Sequence, residues 1–181
     1  MTPCIRFALG NHDFDDGIEG LKPFLQQVNF PVLAANIDLS KSPDLQNLIK
    51  PSIVKEIDGT KIGIIGYITP KTVNISNPGP NLIFHHEIYA VQREINILKK
   101  QGVNVFIGLG HSGFGFDKYL AKVVPDLDLV IGGHSHSFLY SGENPPDKPE
   151  GNYPTYIHSE NGKIIPVVQV SDFKTTALQW G

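Results

Sequence analysis

Cysteine is nearly absent from the sequence, because Cys4 is the only one in 181 residues. A single cysteine excludes an internal disulfide and a cluster of thiolate ligands, so a bound metal must rely on His, Asn, Asp or Glu side chains. Long apolar runs are missing as well. No run approaches the ~18 residues needed to span a bilayer, and residues 1–7 lack the long apolar core of a signal peptide. We therefore expect no direct membrane span.

An excess of positive charge is also lacking, since 15 Lys and Arg residues stand against 18 Asp and Glu residues, for a formal net charge of -3. Proteins that bind a nucleic-acid backbone usually carry a basic surface, so nucleic acid is not an expected partner. The pattern His-Glu-x-x-His is absent, which argues against a zinc protease. With 40% hydrophobic residues, the chain has enough apolar surface for one ordinary globular domain.

Short β-branched segments alternate with amphipathic segments, which predicts an α/β layered fold. Core strands are predicted at residues 5–9, 32–35, 62–68, 103–109 and 127–131, and helices at residues 18–28, 86–101 and 116–124. Asp58-Gly59 joins two strand-like segments and predicts a β-hairpin, so the sheet should be mixed. A loop rich in proline and glycine is expected over residues 140–153, before strands at residues 155–158 and 164–170.

Three predicted strands end in glycine followed by histidine or by an Asn-His pair. These ends are Gly10-Asn11-His12, Gly110-His111 and Gly132-Gly133-His134-Ser135-His136. In layered α/β folds, ligand sites gather at the carboxyl edge of the strands, and glycine lets the backbone turn sharply enough to aim the next side chain into a shared cleft. His134 and His136 are two residues apart, so in extended backbone both would point to the same side. We therefore expect the three strand ends to converge.

The residue types at these ends indicate metal-dependent hydrolysis of a phosphate ester. Imidazole nitrogens and amide oxygens suit zinc or manganese, and two such ions close together can bind both the attacking and the leaving oxygen of a phosphate. His12 is expected to face the substrate, and Asp15 to orient the His12 ring by a hydrogen bond. A single Gly-His after a strand is usually an ordinary loop residue, so the repetition is what favours a site. The remaining candidates are interpreted as capping, surface or strand residues outside the site: His85, His86, Glu87 and His158.

Several longer motifs occur in order between residues 8 and 169. They include Gly10-Asn11-His12-Asp13-Phe14-Asp15, Ala35-Asn36-Ile37, Gly110-His111-Ser112-Gly113-Phe114, Gly132-Gly133-His134-Ser135-His136 and Pro166-Val167-Val168-Gln169. Together these motifs resemble the 5'-nucleotidase group of calcineurin-like metallophosphoesterases, and most closely its ecto-5'-nucleotidase and salivary apyrase branch. The resemblance implies a layered α-β-β-α sandwich with mixed sheets, incomplete at its amino terminus.

The resemblance also implies a ligand set and a substrate. The implied metal ligands are Asn11, His111 and His134 for one ion and His136 for a second. His12 and Asp15 would stabilise the transition state of phosphoryl transfer. The implied cofactors are divalent metal ions, zinc first, with manganese or another divalent ion as alternatives. The implied substrate is a 5'-nucleotide such as AMP.

The sequence departs from the family at two motifs that carry metal ligands. The family's first strand ends in Asp-x-His and its second in Gly-Asp, whose aspartate bridges the two ions, and neither pattern occurs in this sequence. The family's separate nucleoside-binding domain also lies outside the chain. We therefore expect residues 1–181 to be a partial catalytic domain, truncated at both ends, with weak or no activity alone.

Two alternatives stay open beside hydrolysis of AMP. One is hydrolysis of nucleoside di- and triphosphates, as in apyrases, and the other is a non-catalytic remnant that binds a metal ion. The resemblance implies an extracellular or cell-surface location, for which the chain carries no signal or anchor of its own. The sequence leaves dimerisation undetermined.

Overall fold

The computed structural model describes residues 7–171, in which short strands alternate with helices as predicted. The strands are β1 (Phe7–Ala8), β2 (Val32–Leu33), β3 (Ile37–Asp38), β4 (Ile49–Lys50), β5 (Ser52–Ile57), β6 (Thr60–Ile68), β7 (Ile83–Phe84), β8 (Val105–His111), β9 (Leu129–Gly132), β10 (Thr155–His158) and β11 (Ile164–Gln169). The helices are α1 (Gly17–Gln27), α2 (Thr72–Ile75), α3 (Glu87–Lys99) and α4 (Phe114–Val123), and a 3₁₀ turn covers Asn11–Phe14. Within this described part, no helix is long and apolar enough to cross a bilayer. Residues 5 and 6 of the first predicted strand lie outside the described residues.

The larger sheet has six strands in the order β10-β11-β9-β8-β6-β5. Its four central strands are parallel, and β10 and β5 pair antiparallel at the two edges. Parallel strands covered on both faces are continuous apolar runs, which is why the sequence marks β6, β8 and β9 clearly. The turn between β5 and β6 has positive φ at Asp58 (48°) and Gly59 (76°), as a type I′ hairpin requires. The predicted hairpin and mixed sheet are confirmed.

A smaller sheet packs face to face against the larger one. It consists of β1, β2 and β4, all parallel in the order β1-β2-β4, while β3 and β7 form a separate antiparallel pair. The two layers approach closely at β6, where a Cβ built on Gly66 would overlap the backbone of Leu33. Strands β3, β4 and β7 have two residues each. Such short strands give no alternating pattern, so nothing in the sequence marks them.

Helices cover the outer faces of the two sheets. Helices α3 and α4 pack on the six-stranded sheet, where Ile65, Ile95 and Leu120 belong to one hydrophobic cluster and are each 0% exposed. Helix α1 packs near the smaller sheet, where Leu21 joins Val32 in a second cluster. The order helix, sheet, sheet, helix confirms the predicted layered sandwich.

Glu87 departs from the interpretation of His85, His86 and Glu87 as capping or surface residues. His86 does cap α3, since its Nδ1 accepts a hydrogen bond from the Ile88 amide at 3.3 Å. Glu87, however, is only 3% exposed, and its carboxylate accepts a hydrogen bond from the Ser112 hydroxyl at 3.0 Å. The surface interpretation of Glu87 is therefore wrong, because its carboxylate anchors the segment that follows β8.

Helix α3 offers a matched pair for testing the position of the core. Ile95 is 0% exposed, whereas Ile97 is 42% exposed. Ile95→Ala should lower the free energy of unfolding by about 2–5 kcal/mol, because it leaves a cavity between helix and sheet. Ile97→Ala should lower it by less than about 1 kcal/mol. Urea denaturation followed by circular dichroism measures both values, and equal losses would contradict the orientation of α3.

Candidate metal-binding site

The carboxyl ends of the central strands lie level at one edge of the six-stranded sheet. Ile68 at the end of β6 is opposite His111 at the end of β8, and Gln169 of β11 is opposite Gly132 of β9. A cavity of about 390 Å³ opens at this edge. Three histidines are part of its lining: His111, His134 and His136.

Asn11 reaches His134 from the 3₁₀ turn. The turn starts after Gly10, whose amide donates to Asp13 Oδ2 at 2.8 Å and so closes the turn. Asn11 is 4% exposed, and its Oδ1 lies 3.0 Å from Nδ1 of His134. Two of the expected ligands, 123 positions apart, are therefore in direct contact.

The His111 ring lies between His134 and the backbone of Gly10. Its centroid is 5.1 Å from that of the His134 ring, with an angle of 62° between the planes. A Cβ built on Gly10 would come within 2.9 Å of two atoms of the His111 ring. The site therefore needs glycine here because glycine has no side chain. At Gly10, whose φ is -108°, close packing against the His111 ring requires glycine, and neither Gly10 nor Gly133 has a positive φ.

The backbone at His134 and His136 is left-handed, with φ of 78° and 54°. The expectation of extended backbone at these residues is therefore wrong, although both line the cavity. Non-glycine residues rarely adopt this conformation, which costs on the order of 1–3 kcal/mol each and persists only where other contacts hold it. The loop of residues 133–137 must be held by its surroundings.

His12 and Asp15 form the expected hydrogen-bonded pair. Nδ1 of His12 lies 2.7 Å from Asp15 Oδ2, and the Ser76 hydroxyl donates to Asp15 Oδ1 at 2.7 Å. These two hydrogen bonds hold the pKa of the Asp15 carboxyl below its usual value. The His12 side chain is 79% exposed, so it is oriented by a carboxylate and open to solvent. Ser76 lies 61 positions from Asp15, and no sequence pattern indicates its contact.

Burial favours the neutral form of the two inner histidines. Burial, together with the nearby His134 ring, lowers the pKa of His111 from 6.5 to about 4. Burial and the nearby His136 lower the pKa of His134. At neutral pH both inner rings therefore keep an unprotonated nitrogen that can bind a metal.

Two imidazoles and one amide oxygen fit a single divalent ion. In a tetrahedral zinc site, ligands that lie ~2.1 Å from the ion are separated by about 3.4 Å. The contact of 3.0 Å between Asn11 and His134 is a little shorter than this, so a small side-chain movement would let both bind one ion. Within residues 7–171, no three His, Cys, Asp or Glu side chains are grouped closely enough to hold a metal. The third protein ligand of such an ion would therefore be the Asn11 amide.

A buried polar network beneath the histidines is a feature that the sequence patterns do not predict. Tyr67, Asp117 and Gln169 are all buried and are linked by hydrogen bonds. One signal for it exists in α4. Asp117 lies three residues after Phe114 and three before Leu120, on the apolar stripe of the helix. A carboxylate in such a stripe needs a buried hydrogen-bond partner.

Comparison with known proteins assigns the chain to a family. A family model described as calcineurin-like phosphoesterase matches residues 2–138. The chain belongs to the calcineurin-like phosphoesterase family. The matched stretch of this phosphoesterase chain contains all six candidate site residues, which are Asn11, His12, Asp15, His111, His134 and His136.

Relatives of this phosphoesterase chain carry the name 5'-nucleotidase. A 5'-nucleotidase of Diplobatis ommata is 51% identical over 166 residues, which are 90% of this chain and 29% of that protein. A 5'-nucleotidase of Mus musculus is 48% identical over 92% of this chain and 30% of that protein. The crystal structure of a 5'-nucleotidase precursor from Thermus thermophilus matches 91% of this chain and 32% of that chain, with a TM-score of 0.87 and 40% identity. The chain thus spans about 30% of the length of the curated relatives it matches.

The low pKa of His111 gives a prediction for the metal-free chain. The His111 ring should titrate near pH 4 in the folded protein and near pH 6.5 when the chain is unfolded in urea. Because the folded form binds this proton less tightly, the group's contribution to stability is complete above about pH 6.5 and is lost as the pH falls towards 4. NMR titration, with the His111 resonance assigned by its absence in His111→Gln, measures the pKa. A value at or above 6.5 in the folded chain would contradict the buried geometry.

Proposed function

We propose that this chain supplies a metal centre for the hydrolysis of 5'-nucleotides to nucleoside and phosphate, with AMP as the first substrate to consider. One observation carries the proposal: Asn11 Oδ1 and His134 Nδ1 lie 3.0 Å apart, and the His111 ring lies 5.1 Å from the His134 ring. The phosphoesterase family and the names of its 5'-nucleotidase relatives support the reaction class.

In this proposal, Asn11, His111 and His134 hold one divalent ion, with zinc as the first choice and manganese as the alternative. A bound ion of this kind lowers the pKa of a water molecule and polarises a phosphate oxygen. His136 lines the same cavity and would hold the second ion of a two-metal reaction. The neutral imidazoles of His111 and His134 need not lose a proton before they bind.

His12 is proposed to act on the phosphate itself. Its exposed ring is held at Nδ1 by Asp15, which leaves the opposite ring nitrogen available to a substrate oxygen. A positioned imidazole can donate a hydrogen bond or a proton as negative charge develops on that oxygen. Ser76 keeps the Asp15 carboxylate in place and so keeps the His12 ring oriented.

We further propose that the chain alone is a weak catalyst. A two-metal reaction needs a carboxylate between the ions, because two unscreened cations held a few Å apart repel each other strongly. The sequence contains no Gly-Asp, the family motif whose aspartate bridges the two ions, and no Asp-x-His. Hydrolysis of nucleoside di- and triphosphates is the alternative within the same chemistry, and an extracellular or cell-surface location stays a prediction from the resemblance.

A non-catalytic metal-binding role is the second candidate. It is favoured by the donor set among the described residues, which fits one ion and includes no group of three His, Cys, Asp or Glu side chains. Both candidate functions require a bound metal ion, and only the first includes turnover of a substrate. Metal stoichiometry and phosphate release therefore have to be measured separately.

Calorimetric titration of the chain with zinc tests the ligand set. We expect one ion per chain, and we expect His111→Ala and His134→Ala each to weaken binding by at least about tenfold, because each removes one of three protein ligands. His158→Ala, on β10 and outside the cavity lining, is the matched control and should bind zinc as the parent does. Two ions per chain would contradict the single-ion site, and unchanged binding in both site variants would contradict the ligand assignment.

Release of inorganic phosphate from AMP, ADP, ATP and a cyclic nucleotide tests the reaction. With saturating zinc or manganese, we expect AMP turnover well below about 1 per second. That rate is the low end of the range of common enzyme turnover numbers. His12→Ala should remove what activity there is while zinc still binds. A rate typical of an efficient enzyme would contradict the proposal of weak catalysis. No release from any substrate, with one ion tightly bound, would favour the non-catalytic role.

A further inference from the structure

One side chain contacts the loop of residues 133–137 at three alternate positions. Gln169, the last residue of β11, is 8% exposed. Its Nε2 donates to the Gly133 carbonyl at 3.0 Å. Its Oε1 accepts from the Ser135 hydroxyl and from the Ser137 amide, each at 2.8 Å. Gln169 therefore bonds every second residue of the loop, namely Gly133, Ser135 and Ser137.

The residues between these contacts are the two histidines of the site. His134 lies between Gly133 and Ser135, and His136 lies between Ser135 and Ser137. Each histidine is thus flanked on both sides by a residue bonded to the same amide. Both histidines have positive φ, a conformation that a non-glycine residue keeps only when its surroundings over-determine it. The Gln169 contacts are in the right places to do this.

The orientation of the Gln169 amide depends on Asp117. Both oxygens of the fully buried Asp117 carboxylate accept hydrogen bonds, Oδ1 from the Tyr67 hydroxyl at 2.7 Å and Oδ2 from Gln169 Nε2 at 3.3 Å. An ionised carboxylate has no donor, so the amide must turn its NH₂ group towards Asp117. A flipped amide would set its NH₂ group against the Ser137 N–H and its oxygen against the Gly133 carbonyl.

Two glycines leave room for this network. A Cβ on Gly132 would overlap the Asp117 carboxylate, and a Cβ on Gly110 would overlap the Tyr67 ring. Gly110 directly precedes His111, and Gly132 lies two residues before His134. The glycines of the strand-end motifs therefore make space for the polar groups that lie beneath the histidines.

Burial raises the pKa of Asp117 to about 7, and the hydrogen bonds from Tyr67 and Gln169 act in the opposite direction. Since both carboxylate oxygens already accept hydrogen bonds, the ionised form is the one that fits the contacts. Measurements on this network therefore belong in mildly alkaline buffer, where the carboxylate is ionised.

We propose that Gln169 is a positioning residue of the metal centre: its amide, oriented by Asp117, sets the backbone of residues 133–137 and thereby the metal affinity of His134. The inference rests on the proposed metal site. Gln169 does not touch the metal or the substrate in this arrangement, so its whole effect passes through the loop.

Two isosteric substitutions and their combination test the proposal. Gln169→Glu puts a carboxylate against Asp117 and removes the donor to Gly133. Asp117→Asn leaves one oxygen for two donors, so either the Tyr67 hydroxyl or the Gln169 amide loses its acceptor. In the double variant, the new Asn can accept from Tyr67 and donate to the new Glu, which restores their contact and the original total charge.

Zinc affinity and backbone conformation are the two readouts. Calorimetry on each folded variant should show binding weakened by about tenfold or more in each single variant, and less weakened in the double variant than in Gln169→Glu, because the repulsion between the two carboxylates is gone. In the metal-free proteins, the Cα and Cβ chemical shifts of His134 and His136 should move away from left-handed values in both single variants. A change in melting temperature alone would move neither readout.

Glu94→Gln is the matched control. Glu94 is another buried carboxylate, 5% exposed, which accepts a hydrogen bond at 3.1 Å from the hydroxyl of Ser52 on the edge strand β5. Strands β6 and β8 separate β5 from β9 and the loop that follows it. The control should leave zinc affinity and both histidine shifts as in the parent.

The outcomes separate the inference from the proposed function. Parent-like zinc affinity in both single variants would overturn the positioning role, and so would a double variant that binds zinc no better than Gln169→Glu. If the parent itself binds no zinc, the proposed function fails, and the metal-free shifts still decide whether Gln169 sets the loop. Unchanged shifts in both single variants would then overturn the inference as well.

Discussion

The parallel pairing of β6, β8, β9 and β11 is the constraint on which the site depends. Parallel strands point the same way, so their carboxyl ends meet at one edge of the sheet. Their register sets Tyr67 opposite Gly110 and Gln169 opposite Gly132, so the polar side chains of β6 and β11 lie level with the loops that leave β8 and β9. A slip of one residue would turn Tyr67 and Gln169 to the other face. The histidine loops would then lose the groups beneath them.

Several features at this edge are unfavourable when taken singly. His134 and His136 have left-handed backbone, and Asp117 is a carboxylate with no exposed surface. Each is compensated by a neighbour: Gln169 bonds the loop, and the Tyr67 hydroxyl bonds the carboxylate. Proteins retain such features where surrounding structure holds them, and they are concentrated at functional sites. Burial of apolar side chains between α3, α4 and the large sheet stabilises the fold and offsets these unfavourable local features.

Much of this architecture is local in origin, and the sequence predicts that part. Buried parallel strands such as β6 and β8 are continuous apolar runs, and α3 repeats its apolar residues with helical period. The repeated glycine and histidine directly follow these predicted strands in the sequence, so they can be recognised together with them. The parts that escape prediction depend on distant residues. The Gln169 amide bonds the loop that contains His134, the Ser112 hydroxyl donates to the buried Glu87, and Ser76 reaches Asp15 across 61 positions. No local pattern contains such contacts.

In the proposed site, the strand ends bring Asn11, His111 and His134 together as the ligands of one ion. Anomalous diffraction from a zinc-loaded crystal of the chain tests it most directly. We expect a zinc peak within bonding distance of these three side chains, with the Gln169 amide oxygen still accepting a hydrogen bond from the Ser137 amide. A peak at another place, such as between the helix-capping His86 and its neighbours, or an empty cavity at saturating zinc, would contradict it.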